Sequence, residues 1–178
     1  HNICKNELSK LSENEVYDFL YDWAVENEPE KAKIWFADKE KMLGILRLYM
    51  GVGMKRRRKD FMYARQIFEM IGYFFEMGSE EKDEFRLDKE TVNTVLNEYL
   101  EMYNHDDDNS EWFNKLKAIA DKHGFASDMK AYKANPEQFK GNVSDIAEIV
   151  RIAVTGRANT PDLWSIVHVM GEGQMKDR

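Results

Sequence analysis

Residues 144–171 read SDIAEIVRIAVTGRANTPDLWSIVHVMG, the most legible helical pattern in the chain. Ser144 is a helix-capping residue type. Ile146, Ile149, Val150 and Ala153 follow it at the spacing of one helical face. Gly156 is the residue type that ends a helix in the left-handed conformation. Thr160-Pro161-Asp162 then reads as a cap, a first-turn proline and a first-turn acid. Leu163, Ile166, Val167 and Met170 make a second apolar stripe, closed by Gly171.

The same grammar runs upstream. Ser12-Glu13-Asn14-Glu15 has the form of a capping box, followed by Val16, Phe19, Leu20 and Trp23. Pro29 suits the first turn of a short second helix, where its missing N–H costs nothing. Asp38 can cap a third helix with the stripe Met42, Ile45, Leu46 and Tyr49, which Gly51 and Gly53 stop. Asp60 can cap a fourth, running through Phe61, Ala64, Phe68, Ile71 and Phe75. Asp88 precedes Val92, Val95, Leu96, Tyr99 and Tyr103; Ser110 precedes Trp112, Phe113, Leu116 and Ile119, closed by Gly124. Asn135-Pro136 opens a short helical turn, so all three prolines fall at expected helix starts. No segment alternates with period two, and the expected fold is all-α with no sheet. Gly78 and the acids through Glu84 mark the expected division into two small helical subdomains, 1–80 and 81–178.

The chain has 178 residues, 43% of them hydrophobic, enough to bury a core. Its one cysteine, Cys4, leaves no internal disulfide and no cysteine-based zinc site. No apolar run is long enough to cross a membrane. A reducing, cytoplasmic setting is the expectation. The chain begins at His1 without an initiator Met, which suggests a fragment of something longer.

The net charge is −7, but it is unevenly spread. Lys41 to Arg65 holds eight basic residues against the single acid Asp60, a local charge of +7 that leaves −14 elsewhere. Such a strip orients a polyanion more than it attracts one from afar. Catalytic patterns are lacking. The four histidines form no zinc-protease pair, Asp106-Asp107-Asp108 lacks the rest of a calcium loop and reads as solvated linker, and Gly51-Val52-Gly53 follows a helix and not a strand. His123 reads as a helix C-terminal residue and His168 as a packing residue beside the last stripe. The residue chemistry is that of a binding module, with no catalytic residue, no metal and no cofactor expected in the chain.

Two constellations remain. Lys55, Arg56, Arg57, Arg58 and Lys59 could contact phosphate at the start of the following helix, where free backbone N–H groups add to the charge; a solvated basic loop is the plainer alternative. The second is Arg151, Arg157, Thr160, Pro161, Leu163 and Trp164. It joins cationic forks, a loop feeding a helix N-terminus and an aromatic ring, the parts that hold splayed single-stranded bases. The alternative is a helix-turn-helix packing corner with Trp164 in the core.

At these residues the chain resembles bacterial glutamyl-tRNA synthetases. Arg151–Arg157 with Thr160-Pro161, Leu163 and Gly171 is similar to that family's C-terminal signature, Arg-Val-Ala-Leu-Thr-Gly, a short loop, Pro-x-Leu and a helix-ending Gly. Lys55–Phe75 resembles its basic turn and Tyr-Phe-Phe helix, here Tyr73-Phe74-Phe75, and His1–Trp23 the segment after its Lys-Met-Ser-Lys-Ser loop. The resemblance implies an all-helical anticodon-binding region without the catalytic domain, since neither that loop nor a His-Ile-Gly-His-type motif occurs. It places Arg151, Arg157, Thr160, Pro161, Leu163 and Trp164 at the anticodon, with Arg57 or Arg58 at its first letter. Lys55, Arg56 and Lys59 are left for phosphate. It implies tRNA-Glu, with tRNA-Gln as a second candidate, a monomer, and ATP and Mg used only by the parent ligase. The alternatives are the anticodon module of a class I lysyl-tRNA synthetase and a helical protein-interaction module.

Overall fold

A computed structural model describes residues 5–76 and 82–178, with the side chains of Lys5 and Asn6 excepted. Cys4 and the expected break at Gly78 lie outside the described residues. The chain divides into two compact units, 1–77 and 78–178. Among the described residues it is helical with no strand; a single isolated parallel bridge pairs Ala126 with Asn142. Among the described residues no helix is long and apolar enough to cross a membrane.

The first unit holds α1 (Lys5–Leu8), α2 (Glu13–Asn27), α3 (Pro29–Trp35), α4 (Lys39–Met50) and α5 (Ala64–Ile71), then a 3-10 turn at Gly72–Phe74. Helix α2 begins where the capping box places it, with Ser12 accepting from the Glu15 N–H and Glu15 accepting from the Ser12 N–H at 2.8 Å. Pro29 opens α3 and Asp38 accepts from the Lys41 N–H to start α4. Helix α2 packs on α3, α4 and α5. Its apolar face, Val16, Leu20 and Ala24, is fully buried, as are Ile45 and Leu46 of α4 and Ile67 and Ile71 of α5. Trp35 stacks on Phe68 at 4.0 Å and on Phe75 at 4.8 Å, which ties α3 to α5 and to the residue after the 3-10 turn. The Tyr49 hydroxyl meets Met70 O at 3.1 Å and the Tyr73 hydroxyl at 2.8 Å, so α4 is pinned polar-to-polar inside an apolar setting.

The second unit holds α6 (Lys89–Met102), α7 (Asn109–Lys122), α8 (Met129–Ala134), a 3-10 turn at Pro136–Gln138, α9 (Val143–Thr155), α10 (Leu163–Met170) and α11 (Glu172–Lys176). Helices α6, α7 and α9 pack mutually, and α10 packs on α9 and α11. Tyr99 and Trp112 are buried together, and the Trp112 indole donates to the Tyr99 hydroxyl at 3.1 Å. Burial pushes the Tyr99 hydroxyl well up, so it stays protonated and able to accept. Leu116, Ile119, Ile146 and Ile166 complete the core.

Several caps differ from the sequence reading. Helix α7 is capped by Asp108 and not Ser110, because Glu111 reaches back to the Asp108 N–H at 3.0 Å and completes a box. Helix α9 is capped by Asn142 and not Ser144, and Asp145 closes that box at 2.8 Å. Helix α10 is capped by Asp162, which accepts from the Ser165 N–H and hydroxyl. Thr160 and Pro161 therefore lie in the preceding loop, and Pro161 is not a first-turn residue. Helix α5 starts at Ala64, and Asp60 is not its cap. Short helices α8 and α11 were not evident in the sequence.

Candidate nucleic-acid interface

In the first unit the basic run is a loop between α4 and α5, built by Gly51. Its φ of +64° ends α4. The Val52 N–H returns to Arg47 O at 3.1 Å, and the Arg58 N–H closes on Met50 O at 3.1 Å. A Cβ at Gly51 would stand 2.9 Å from Arg58 N, so only glycine lets the run fold back so tightly. Gln66 holds the far end, donating to Asp60 O at 2.9 Å and accepting from the Met62 N–H at 3.0 Å.

This geometry sorts the five cations. Arg58 is half-buried and spent locally, its Nε donating to Asp60 Oδ2 at 2.6 Å. Lys55, Arg56 and Lys59 are exposed and make no ion pair with a described residue. Arg57 is also exposed. It adds a minor share to holding the Glu13 carboxyl low, after the Glu13 backbone N–H and Arg47. The expected placement of this run at a helix N-terminus does not hold. Helix α5 begins beyond Tyr63, so any phosphate here meets side chains and loop amides, without the helix end.

In the second unit the corner between α9 and α10 is held by internal hydrogen bonds. Thr155, buried at the end of α9, donates to Arg151 O at 2.7 Å and accepts from the Arg157 N–H at 3.0 Å. Gly156 turns at φ +72°. Its carbonyl accepts from the Asp83 N–H at 2.9 Å, while the Asp83 carboxylate accepts from the Ala158 N–H at 2.6 Å. Arg151 reaches across the loop: its Nη1 donates to Pro161 O at 2.8 Å, to Thr160 O at 3.3 Å and to the Thr160 hydroxyl. The side chain of α9 thus fixes the loop that feeds α10.

The sequence-selected residues meet here in two kinds. Pro161 and Leu163 are buried and form the floor of the corner. Arg157 is exposed; Arg151, Thr160 and Trp164 are half-buried. Trp164 lies in the first turn of α10 and is not a fully buried core residue. Its indole donates to Asp107 O at 3.0 Å, and its ring lies 4.2 Å from His168. Asp107 is buried, paired with Lys115 at 2.5 Å, and is not part of a solvated linker. Asp83, Asp107 and His168 were missed as parts of the site. Only His168 left a sequence signal, its position four residues after Trp164 on one helix face.

Among the described residues no group of three His, Cys, Asp or Glu side chains stands together to hold a metal. His123 caps α7 and lies 3.0 Å from Glu98 Oε1, a structural contact. What the two regions offer is cationic, hydrogen-bonding and aromatic surface.

The family model for an anticodon binding domain matches residues 15–178. The chain is 38% identical over 180 residues to a glutamate–tRNA ligase of Acetivibrio thermocellus, covering all of this chain and 33% of that protein. It is 36% identical to a glutamate–tRNA ligase of Clostridium perfringens over 184 residues, again 33% of the relative. With that of Sorangium cellulosum the identity is 30% over 183 residues and 31% of its length. The chain spans about a third of the length of these relatives, and they favour the glutamate reading over the lysine one. The chain belongs to the anticodon binding domain family, in the form that glutamate–tRNA ligases carry.

Proposed function

We propose that this chain recognises the anticodon of tRNA-Glu and holds that tRNA for ATP-dependent glutamylation by a catalytic domain outside these residues. The observation that carries the reading is the corner in which Arg151 fixes the Thr160–Pro161 loop beside the half-buried Trp164. Unstacked bases are read by such combinations of a guanidinium, a hydroxyl, loop backbone groups and an aromatic face. Arg151, Thr160 and Trp164 meet the bases, Arg157 adds charge at the rim, and Pro161 and Leu163 shape the floor. Arg57 is favoured over Arg58 for the first anticodon letter, because Arg58 is engaged with Asp60. Lys55, Arg56 and Lys59 supply phosphate contacts. In this reading ATP and Mg belong to the catalytic portion, the protein acts as a monomer in the cytoplasm, and tRNA-Gln is the competing substrate.

The test is a binding titration of the 178-residue chain with tRNA-Glu and with the same transcript carrying another anticodon. Tighter binding of tRNA-Glu is expected. Equal affinity for the two would end the claim of anticodon recognition and leave only a general RNA-binding surface.

A further inference from the structure

His168 is the least explained polar side chain of the second unit. It stands on α10 one turn after Trp164, half-buried. Its Nδ1 lies 2.8 Å from Trp164 O and its Nε2 lies 2.8 Å from His105 O. Both partners are backbone carbonyls, which only accept, so both bonds form only when both ring nitrogens carry hydrogen. Its ring is sandwiched, 4.2 Å from the Trp164 ring and 4.7 Å from that of His105 at an interplanar angle of 16°. His105 is in turn held by the Tyr103 hydroxyl at 2.8 Å from its Nδ1. Burial pushes that hydroxyl up to about 12, so it stays protonated at neutral pH.

Two ties therefore join α10 to the segment before α7. One is His168 to His105 O; the other is the Trp164 indole to Asp107 O at 3.0 Å. Asp107 is itself anchored by Lys115. The Trp164 side chain has only two rotatable bonds, and these ties fix both its edge and its face.

We propose that His168 is a positioning residue for base recognition, a brace that locks the loop at His105–Asp107 and so fixes the orientation of the Trp164 ring. The inference rests on the reading of Trp164 as a base-contacting residue. It assigns His168 no contact with RNA.

Two conservative variants separate the two bonds. His168→Gln can keep a donor near Nε2, facing His105 O. His168→Asn keeps only the local bond to Trp164 O, as Asn27 makes to Trp23 O at 2.8 Å in α2. The readouts are hydrogen exchange of the Trp164 indole N–H by NMR and the affinity of the full chain for tRNA-Glu. Exchange about threefold to tenfold faster in His168→Asn and His168→Ala is expected, the effect of losing one N–H···O bond. The same factor should appear in tRNA-Glu affinity with an unchanged salt slope, and His168→Gln should restore both. Unaltered indole exchange in His168→Asn and His168→Ala, or His168→Gln as impaired as His168→Ala, would overturn the proposal. Failure of the underlying reading looks different: indole exchange responds as stated, but no variant, Trp164→Ala included, changes the preference for tRNA-Glu over the anticodon-swapped transcript.

Discussion

The basic loop of the first unit and the α9–α10 corner of the second hold cations in opposite ways. In the loop, Lys55, Arg56, Arg57 and Lys59 project from a backbone that is itself tightly held by Gly51 and Gln66. In the corner, Arg151 is committed to Thr160 and Pro161, and even the neighbouring hydroxyl of Thr155 is committed. Projecting, solvated charge suits phosphate, which needs neutralisation and tolerates mobile side chains. A guanidinium and an indole held by several bonds suit bases, where orientation carries the information. The net charge of −7 conceals this because it averages a local +7 with an acidic remainder.

The largest effect expected on this comparison is Leu163→Ala. Leu163 is 2% exposed, so its truncation should cost about 2–5 kcal/mol of stability, read by denaturant unfolding. A stable variant with weakened tRNA binding would instead make Leu163 a contact residue and not floor. Next is Arg151→Ala, with an expected loss of about 1–3 kcal/mol in binding tRNA-Glu and relaxed discrimination against a swapped anticodon. A loss equal for both transcripts would move Arg151 into the class of phosphate contacts and erase the contrast.

Gly51→Ala should cost about 1 kcal/mol or more, because it forces a side chain into the left-handed region and against Arg58 N. A melting temperature equal to that of the parent chain would show that the tight fold-back is not needed. Lys55→Ala and Arg56→Ala should leave stability unchanged, weaken both transcripts alike, and each lower the salt slope of binding by about 1.

The smallest effect is with acid. Glu98 is held low first by its hydrogen bond to Lys122, then by His123. Asp88 and Asp128 are held low by backbone N–H groups of the helices they cap. A depressed carboxyl contributes stability that is present above its unfolded value of about 4 and lost as pH falls through its folded value. Unfolding free energy should therefore fall below about pH 4, and Glu98→Gln should flatten that fall.

Much of the fold was legible because it is written locally. Ser12 with Glu15, Asp38, Asp88, Gly51 and Gly156 each act within a few residues, and the structure uses each as read. Two of the misplaced caps, those of α7 and α9, have a common cause: several capping residues stand in succession. Asp108, Asn109 and Ser110 compete, as do Asn142 and Ser144, and the choice falls where an acid three residues on can reach back. Asp60 was lost to a side-chain pairing with Arg58. The candidate residues could be selected in sequence, but their supports could not. Asp83 meets Ala158, and His168 meets His105, across separations of 75 and 63 residues that no periodicity encodes.

The proposed division, bases at the corner and phosphate at the loop, separates when tRNA-Glu and its anticodon-swapped transcript are titrated, over a range of salt concentrations, onto the parent chain, Arg151→Ala and Lys55→Ala. The expected result is that Arg151→Ala narrows the gap between transcripts at every salt concentration while Lys55→Ala only shallows the salt dependence. The contradicting result is the reverse assignment, or one common loss for both variants on both transcripts.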